Sequence, residues 1–176
     1  MANNRLTGKC LIFLMVIASG CALHRGISGS KSAPHTGTHS AKRAEQKLRT
    51  DITLYAKKHV GARYRYGGKS PTGFDCSGFT SFVMNRFDVP VSGPSYSQEN
   101  LGKKINKDDA QPGDLVFFRK RKGGKVFHVA IVYEHDREGI SLIHSTSSRG
   151  VVIDHLEKSS YWRTKVITVR DVVSGR

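Results

Sequence analysis

Acid is what this chain is short of. Only 14 Asp and Glu stand against 29 Lys and Arg, for a net charge of +15 over 176 residues. An imbalance of that size bears on partners and solubility, not on fold. It points to a polyanion: nucleic acid, an anionic membrane or an acidic cell-wall polymer. Cysteine is scarce too, with three residues at 10, 21 and 76 and no C-x-x-C pair. With no H-E-x-x-H either, the sequence offers no metal site, and no cofactor motif is present. Long hydrophobic runs are also missing. The longest, Cys10 to Cys21, holds about ten consecutive apolar residues where a bilayer span needs roughly 20. No internal repeat occurs.

The short apolar run has another reading. Arg5 and Lys9 precede it with no acid among them, and the small residues Ala18-Ser19-Gly20 end it before Cys21. That is the layout of a secretory signal, and its end resembles a bacterial lipobox, in which the cysteine is lipidated and becomes N-terminal after cleavage. A plain signal peptide is the simpler alternative. The lipid reading gives a membrane anchor of roughly 0.8 kcal/mol per buried CH₂. It also settles the cysteines: Cys10 leaves with the signal, Cys21 takes the lipid, and Cys76 remains as a lone thiol in an oxidising compartment, where it needs a reason to be kept.

The chain therefore divides into a signal at 1–20, lipidated Cys21 with a flexible linker at 21–46, and a folded domain at 47–176. The linker is rich in Ser, Gly, Thr and His without apolar periodicity. Its histidines, His24, His35 and His39, read as solvated. In the domain, Leu48, Ile52, Tyr55 and His59 recur at helical spacing until Gly61. A second helix starts at Cys76 with Asp75 as its N-cap and Phe79, Phe82, Val83 and Phe87 on its apolar face. From Asp114 the period changes to two. "DLVFF", "KVFHVAIVY", "GISLIH", "GVVID" and "KVITVR" read as strands joined by short polar loops. Helices first and strands second indicate an α+β domain, with helices packed on an antiparallel sheet. "RKRKGGK" (119–125), the densest basic run, reads as a solvated hairpin loop.

Cys76 opens a helix, where unpaired backbone N–H groups favour a thiolate. Asp75 beside it opposes this unless it is turned away as a cap. Ser77 and Gly78 are small and leave the approach open. A base is needed from another element. His128 sits mid-strand with Val126, Ala130 and Val132 on one face, Phe127, Val129, Ile131 and Tyr133 on the other. A histidine so placed is commonly a satisfied core residue, and it is also the best candidate base. His144 ends the next strand and can lie beside His128 in an antiparallel pair, giving nucleophile, base and orienter. His59, His135 and His155, at helix-end or turn positions, are weaker candidates.

Together, "YRYGG" (64–68), "GFDCSGF" (73–79), "PGDLVFF" (112–118), "HVAIVY" (128–133), "IHSTSSRGVVI" (143–153) and "YWRTK" (161–165) resemble the NlpC/P60 cysteine peptidases, in the lipoprotein murein endopeptidase branch. The resemblance covers about residues 50 to 172. It implies a papain-like fold, with Cys76 as nucleophile, His128 as base and His144 as the residue that orients it. It further implies that Tyr64 aids the oxyanion and that Asp75 and Ser77 contact the substrate peptide. One segment departs from the family pattern: "VSGPS" (91–95) stands where many relatives have Leu-Pro-Arg-Ser/Thr, which alters one expected wall of the groove.

The expected protein is a peptidoglycan endopeptidase of the bacterial envelope. It would be monomeric, lipid-anchored on the periplasmic side of the outer membrane, and without cofactor or metal. The expected bond is D-Glu–diaminopimelate or D-Ala–diaminopimelate. The alternatives are an amidase or acyl transferase on the same residues and a wall-binding module with a dead site. Nucleic-acid binding, read from charge alone, fits neither export nor the buried pattern of the aromatics.

Overall fold

A computed structural model describes residues 36–174. The signal segment, the lipid acceptor Cys21 and the linker through residue 35 lie outside the described residues. Helix α1 runs from Thr36 to Lys57, so residues 36–46, expected as linker, are helical. The run Ala41 to Lys47 consists of strong helix formers, most of them exposed. Apolar periodicity reports burial, and this part of the helix buries nothing.

The second half of α1 packs through Ile52 and Ala56 and through one cation. Arg49 is fully buried. Its guanidinium donates to Asp114 at 2.8 Å, Asp171 at 2.9 Å, Glu45 at 2.9 Å and the Pro112 carbonyl at 3.0 Å. A buried cation is tolerable only when it is paired and its donors are satisfied. Arg49 thereby ties α1 to the turn before the sheet and to the chain's last strand.

A two-stranded ribbon, β1 (Lys69–Ser70) and β2 (Gly73–Phe74), leads into α2 (Cys76–Asn85). A short helix α3 (Ser95–Gln98) and strand β3 (Lys103–Ile105) follow. Then come β4 (Leu115–Arg119), β5 (Val126–Asp136), β6 (Gly139–Thr146), β7 (Gly150–His155) and β8 (Val166–Asp171). All pairs in the six-stranded sheet are antiparallel, in the order β3-β8-β4-β5-β6-β7. This is the α+β arrangement expected from the sequence, with β3, α3 and the β1–β2 ribbon as additions too short to leave a periodic signal.

The sheet is apolar on both faces. Leu115, Phe117, Val129, Ile131 and Ile143 pack against Phe74, Phe79 and Val83 of the helical layer. Val116, Phe118, Ala130, Val132 and Leu142 pack on the other face beneath Leu156 and Trp162. Strict alternation along β5 fails near its start. Phe118 pairs with His128 but Arg119 pairs with Val126, so Phe127 is an extra residue in the ladder. Val126 joins the helical-side core, and Phe127 turns to the face of His128. The expected grouping of Val126 with His128 is corrected by this bulge. Among the described residues no helix is long and apolar enough to cross a membrane.

Candidate active site

Asp75 caps α2 and places Cys76 in its first turn. Its Oδ1 accepts from the Gly78 backbone N–H at 2.6 Å and from the Ser77 hydroxyl at 3.0 Å, and its Oδ2 accepts from the Gly67 N–H at 2.9 Å. A carboxylate cap of this kind contributes about 1 kcal/mol. The cap also anchors the glycine loop over the helix start. A side chain at Gly78 would meet the Gly68 carbonyl oxygen at 2.0 Å. Gly78 is thus small to admit backbone, not to open the thiol to substrate. Ser145 of β6 donates to the Phe74 carbonyl at 2.7 Å, fixing the helix start against the strand that carries His144.

His128 and His144, 16 residues apart, meet through a hydrogen bond from ring to ring, Nε2 to Nδ1, at 2.9 Å. His144 Nε2 bonds Asp154 Oδ2 at 3.1 Å. In the β6–β7 register Leu142 faces Asp154 and His144 faces Val152, so Asp154 is a diagonal neighbour of His144 on one sheet face. Asp154 also accepts from both arms of Arg149, one at 2.9 Å, and from the Trp162 indole at 3.2 Å. Trp162 stacks on His128 with ring centroids 4.6 Å apart and 27° between planes.

This network orders the protons. An ionised carboxylate only accepts, so His144 Nε2 carries hydrogen. With one proton on each imidazole, His144 Nδ1 accepts from His128 Nε2–H, and His128 Nδ1 keeps its lone pair. Burial, and then the neighbouring His144 ring, which disfavours a second cation beside it, hold His128 well below the ordinary imidazole value. At neutral pH it is therefore an uncharged base. Hydrogen bonds from His144 and then Arg149 hold Asp154 far below the usual carboxylate range.

The thiol departs from expectation. Burial pushes Cys76 above its ordinary value, and Asp75 adds to this, while the backbone N–H groups of Val129, Ser77 and Cys76 itself pull the other way. The helix start favours a thiolate, but desolvation outweighs it. At rest the pair is thiol and neutral imidazole. Tyr64 is pushed up by burial and then by its proximity to Cys76 and Asp75, which keeps its phenol a hydrogen-bond donor.

Tyr64, Cys76, His128, Asp154 and Trp162 line one cleft of about 720 Å³. The structure thus brings together four expected residues, Tyr64, Cys76, His128 and, through its bond to His128, His144. Asp75 and Ser77 are bonded to each other beneath the helix start and are not among the residues lining the cleft. Nor is the Val91–Ser95 segment. It packs behind α2, where buried Gln98 donates to the Gly93 and Ser77 carbonyls and accepts from Thr80. His59 lies in an aromatic cluster with Tyr55, Phe74 and Phe82. His135 bonds the Ala110 carbonyl. His155, a weaker candidate expected at a turn, is instead the last residue of β7 and lines the cleft. Asp154, Arg149 and Trp162 were not singled out from sequence.

A cysteine at a helix start that shares a cleft with one member of a hydrogen-bonded histidine pair on an antiparallel sheet is the arrangement that thiol–imidazole chemistry needs. The chain belongs to the NlpC/P60 family, whose model matches residues 61–171. It is 36% identical over 132 residues to a protein named probable endopeptidase NlpC from Escherichia coli (strain K12), covering 71% of this chain and 82% of that one. It is 32% identical over 115 residues to one named murein DD-endopeptidase MepS/murein LD-carboxypeptidase from the same strain, covering 65% and 57%. Other relatives are much longer: the chain spans 30% of a gamma-DL-glutamyl hydrolase from Bacillus subtilis (strain 168) and 19% of a protein named probable endopeptidase p60 from Listeria grayi. Among solved structures, an NlpC/P60 family protein from Bacillus cereus superposes with a TM-score of 0.65 at 30% identity, over 71% of this chain and 40% of that one.

Proposed function

We propose that this protein is a cysteine peptidase of the bacterial envelope that hydrolyses stem or cross-link peptide bonds of peptidoglycan. The observation that carries the reading is the hydrogen-bonded chain Asp154–His144–His128, whose two ends line the same cleft as Cys76, with His128 Nδ1 not used by the chain. The names of the relatives in E. coli support the substrate class.

Substrate binding desolvates the site further and places a carbonyl at the thiol. His128 Nδ1 takes the Cys76 proton as sulfur bonds to the carbonyl carbon. The oxyanion sits at the α2 start, where the Cys76 N–H and the Tyr64 hydroxyl serve as donors. His128 then passes its proton to the leaving amine, the C–N bond breaks, and an acyl-enzyme remains. Water, deprotonated by His128, attacks that thioester, releasing the carboxylic acid product and restoring the thiol. His144 and Asp154 keep the base in the tautomer that each step requires.

Export and anchoring complete the proposal. Residues 1–20 act as a signal, Cys21 carries the lipid, and the segment up to α1 tethers the domain on the periplasmic side of the outer membrane. The test is digestion of defined muropeptides, with products assigned by mass. New amines within the peptide, with glycan and stem still joined, support an endopeptidase. Intact stems released from glycan would replace this reading with an amidase. The relatives' names divide between D,D- and γ-glutamyl bonds, and the same product masses identify the bond.

A further inference from the structure

The hairpin joining β4 and β5 carries Lys120, Arg121, Lys122 and Lys125, all exposed, with no acid between residues 119 and 125. The cation at its base is paired: Arg119 bonds Glu99 at 2.8 Å. The loop before β8 adds Arg163 and Lys165, and its Lys165 carbonyl accepts from the Arg119 N–H at 3.0 Å, so the two basic segments are joined. This surface adjoins the cleft. Lys120 lies 5.5 Å from the ring of Phe127, and Lys165 lies 3.8 Å from the ring of Tyr161. Phe127 and Tyr161 both line the cleft, where Phe127 stacks on Trp162 at 6.3 Å and 12°.

We propose that this hairpin, with Arg163 and Lys165, is an extended subsite that holds the carboxylate-rich polymer beyond the bond being cut. The proposal rests on the peptidase reading for its substrate. Like charges packed this closely repel one another, and an anionic strand leaving the cleft past Phe127 and Tyr161 relieves that repulsion. The same surface would also attract anionic lipid headgroups. A bilayer lying on it would cover Phe127 and Tyr161 and obstruct the cleft, so the cleft's own polymer is the better occupant. Attraction between exposed cations and carboxylates is long-ranged and non-directional, so the subsite adds affinity for long strands without selecting a peptide sequence.

The test uses the full chain carrying Cys76→Ala, so that the polymer stays uncut, and measures co-sedimentation with purified sacculi and, separately, with phosphatidylglycerol vesicles. Lys120→Ser/Arg121→Ser/Lys122→Ser should weaken sacculus binding about tenfold at ~50 mM salt, and the gap should close near ~0.5 M as screening removes the attraction. The swap Lys120→Arg/Arg121→Lys/Lys122→Arg should bind like the parent. Equal binding of the serine variant and the parent to sacculi at low salt would overturn the proposal. So would a loss confined to vesicles, which would make the hairpin a membrane contact. Binding requires no cleavage, so failure of the wild type to hydrolyse muropeptides would sink the peptidase reading separately.

Discussion

Trp162 roofs His128. The rings stack at 4.6 Å, and the same indole donates to Asp154, the far end of the relay. One side chain thus shields the base from water and holds the carboxylate that orders its protons. Trp162→Phe keeps a ring over His128 but removes the N–H. It should lower kcat about 3- to 10-fold with little change in KM: a hydrogen bond to a charged group contributes roughly 1.5–3 kcal/mol net, and this loss is softened because Arg149 still holds Asp154. A change in KM alone, at constant kcat, would make Trp162 a substrate contact instead.

Asp154 fixes which nitrogen of each imidazole carries hydrogen. In Asp154→Asn the amide can present N–H to His144 Nε2, which reverses both tautomers and puts hydrogen on His128 Nδ1. We expect kcat to fall about 100-fold or more, as when a relay is held in the wrong tautomer. The folded structure should persist, as checked by far-UV circular dichroism. An unchanged kcat would remove Asp154 from the relay.

His128 ties stability to pH. In the unfolded chain it gains a proton near ~6.5, and in the folded chain only at a lower pH. Between those values the unfolded state binds more protons, so stability rises with pH. The contribution is complete above ~6.5 and is lost as pH falls through the window below it. Urea midpoints measured from pH 7.5 down to 5 should drop for the wild type and drop less for His128→Gln. Parallel curves would show that His128 is not held neutral.

Arg49 tests the frame. Arg49→Ala strands the buried Asp114 carboxylate, which burial already pushes up to about 6, and should cost about 3–5 kcal/mol in urea unfolding. A loss under about 1 kcal/mol, the range of exposed ion pairs, would mean the cluster is open to solvent.

Much of this frame was legible in the residues. The five strands from Asp114 onward carry period-two or continuous apolar runs, and Cys76 stood out once the other two cysteines had roles. His128 was legible as a polar residue inside such a run. What failed to show were features that periodicity cannot encode. The bulge at Phe127 shifts one residue between faces without changing composition. Asp154 is a polar residue near the end of an edge strand, and only the β6–β7 register puts it near His144. Arg49 reads as a surface cation until Asp114 and Asp171 converge on it. The thiol's upward shift depends on burial, which the pattern of a helix start does not reveal.

The most direct test of the account is release of soluble fragments from purified peptidoglycan sacculi by wild type and Cys76→Ala at equal concentration. The account predicts steady release by the wild type, with new peptide amines on the products, and release by Cys76→Ala at the level of buffer alone. Digestion by Cys76→Ala at the wild-type rate would contradict it.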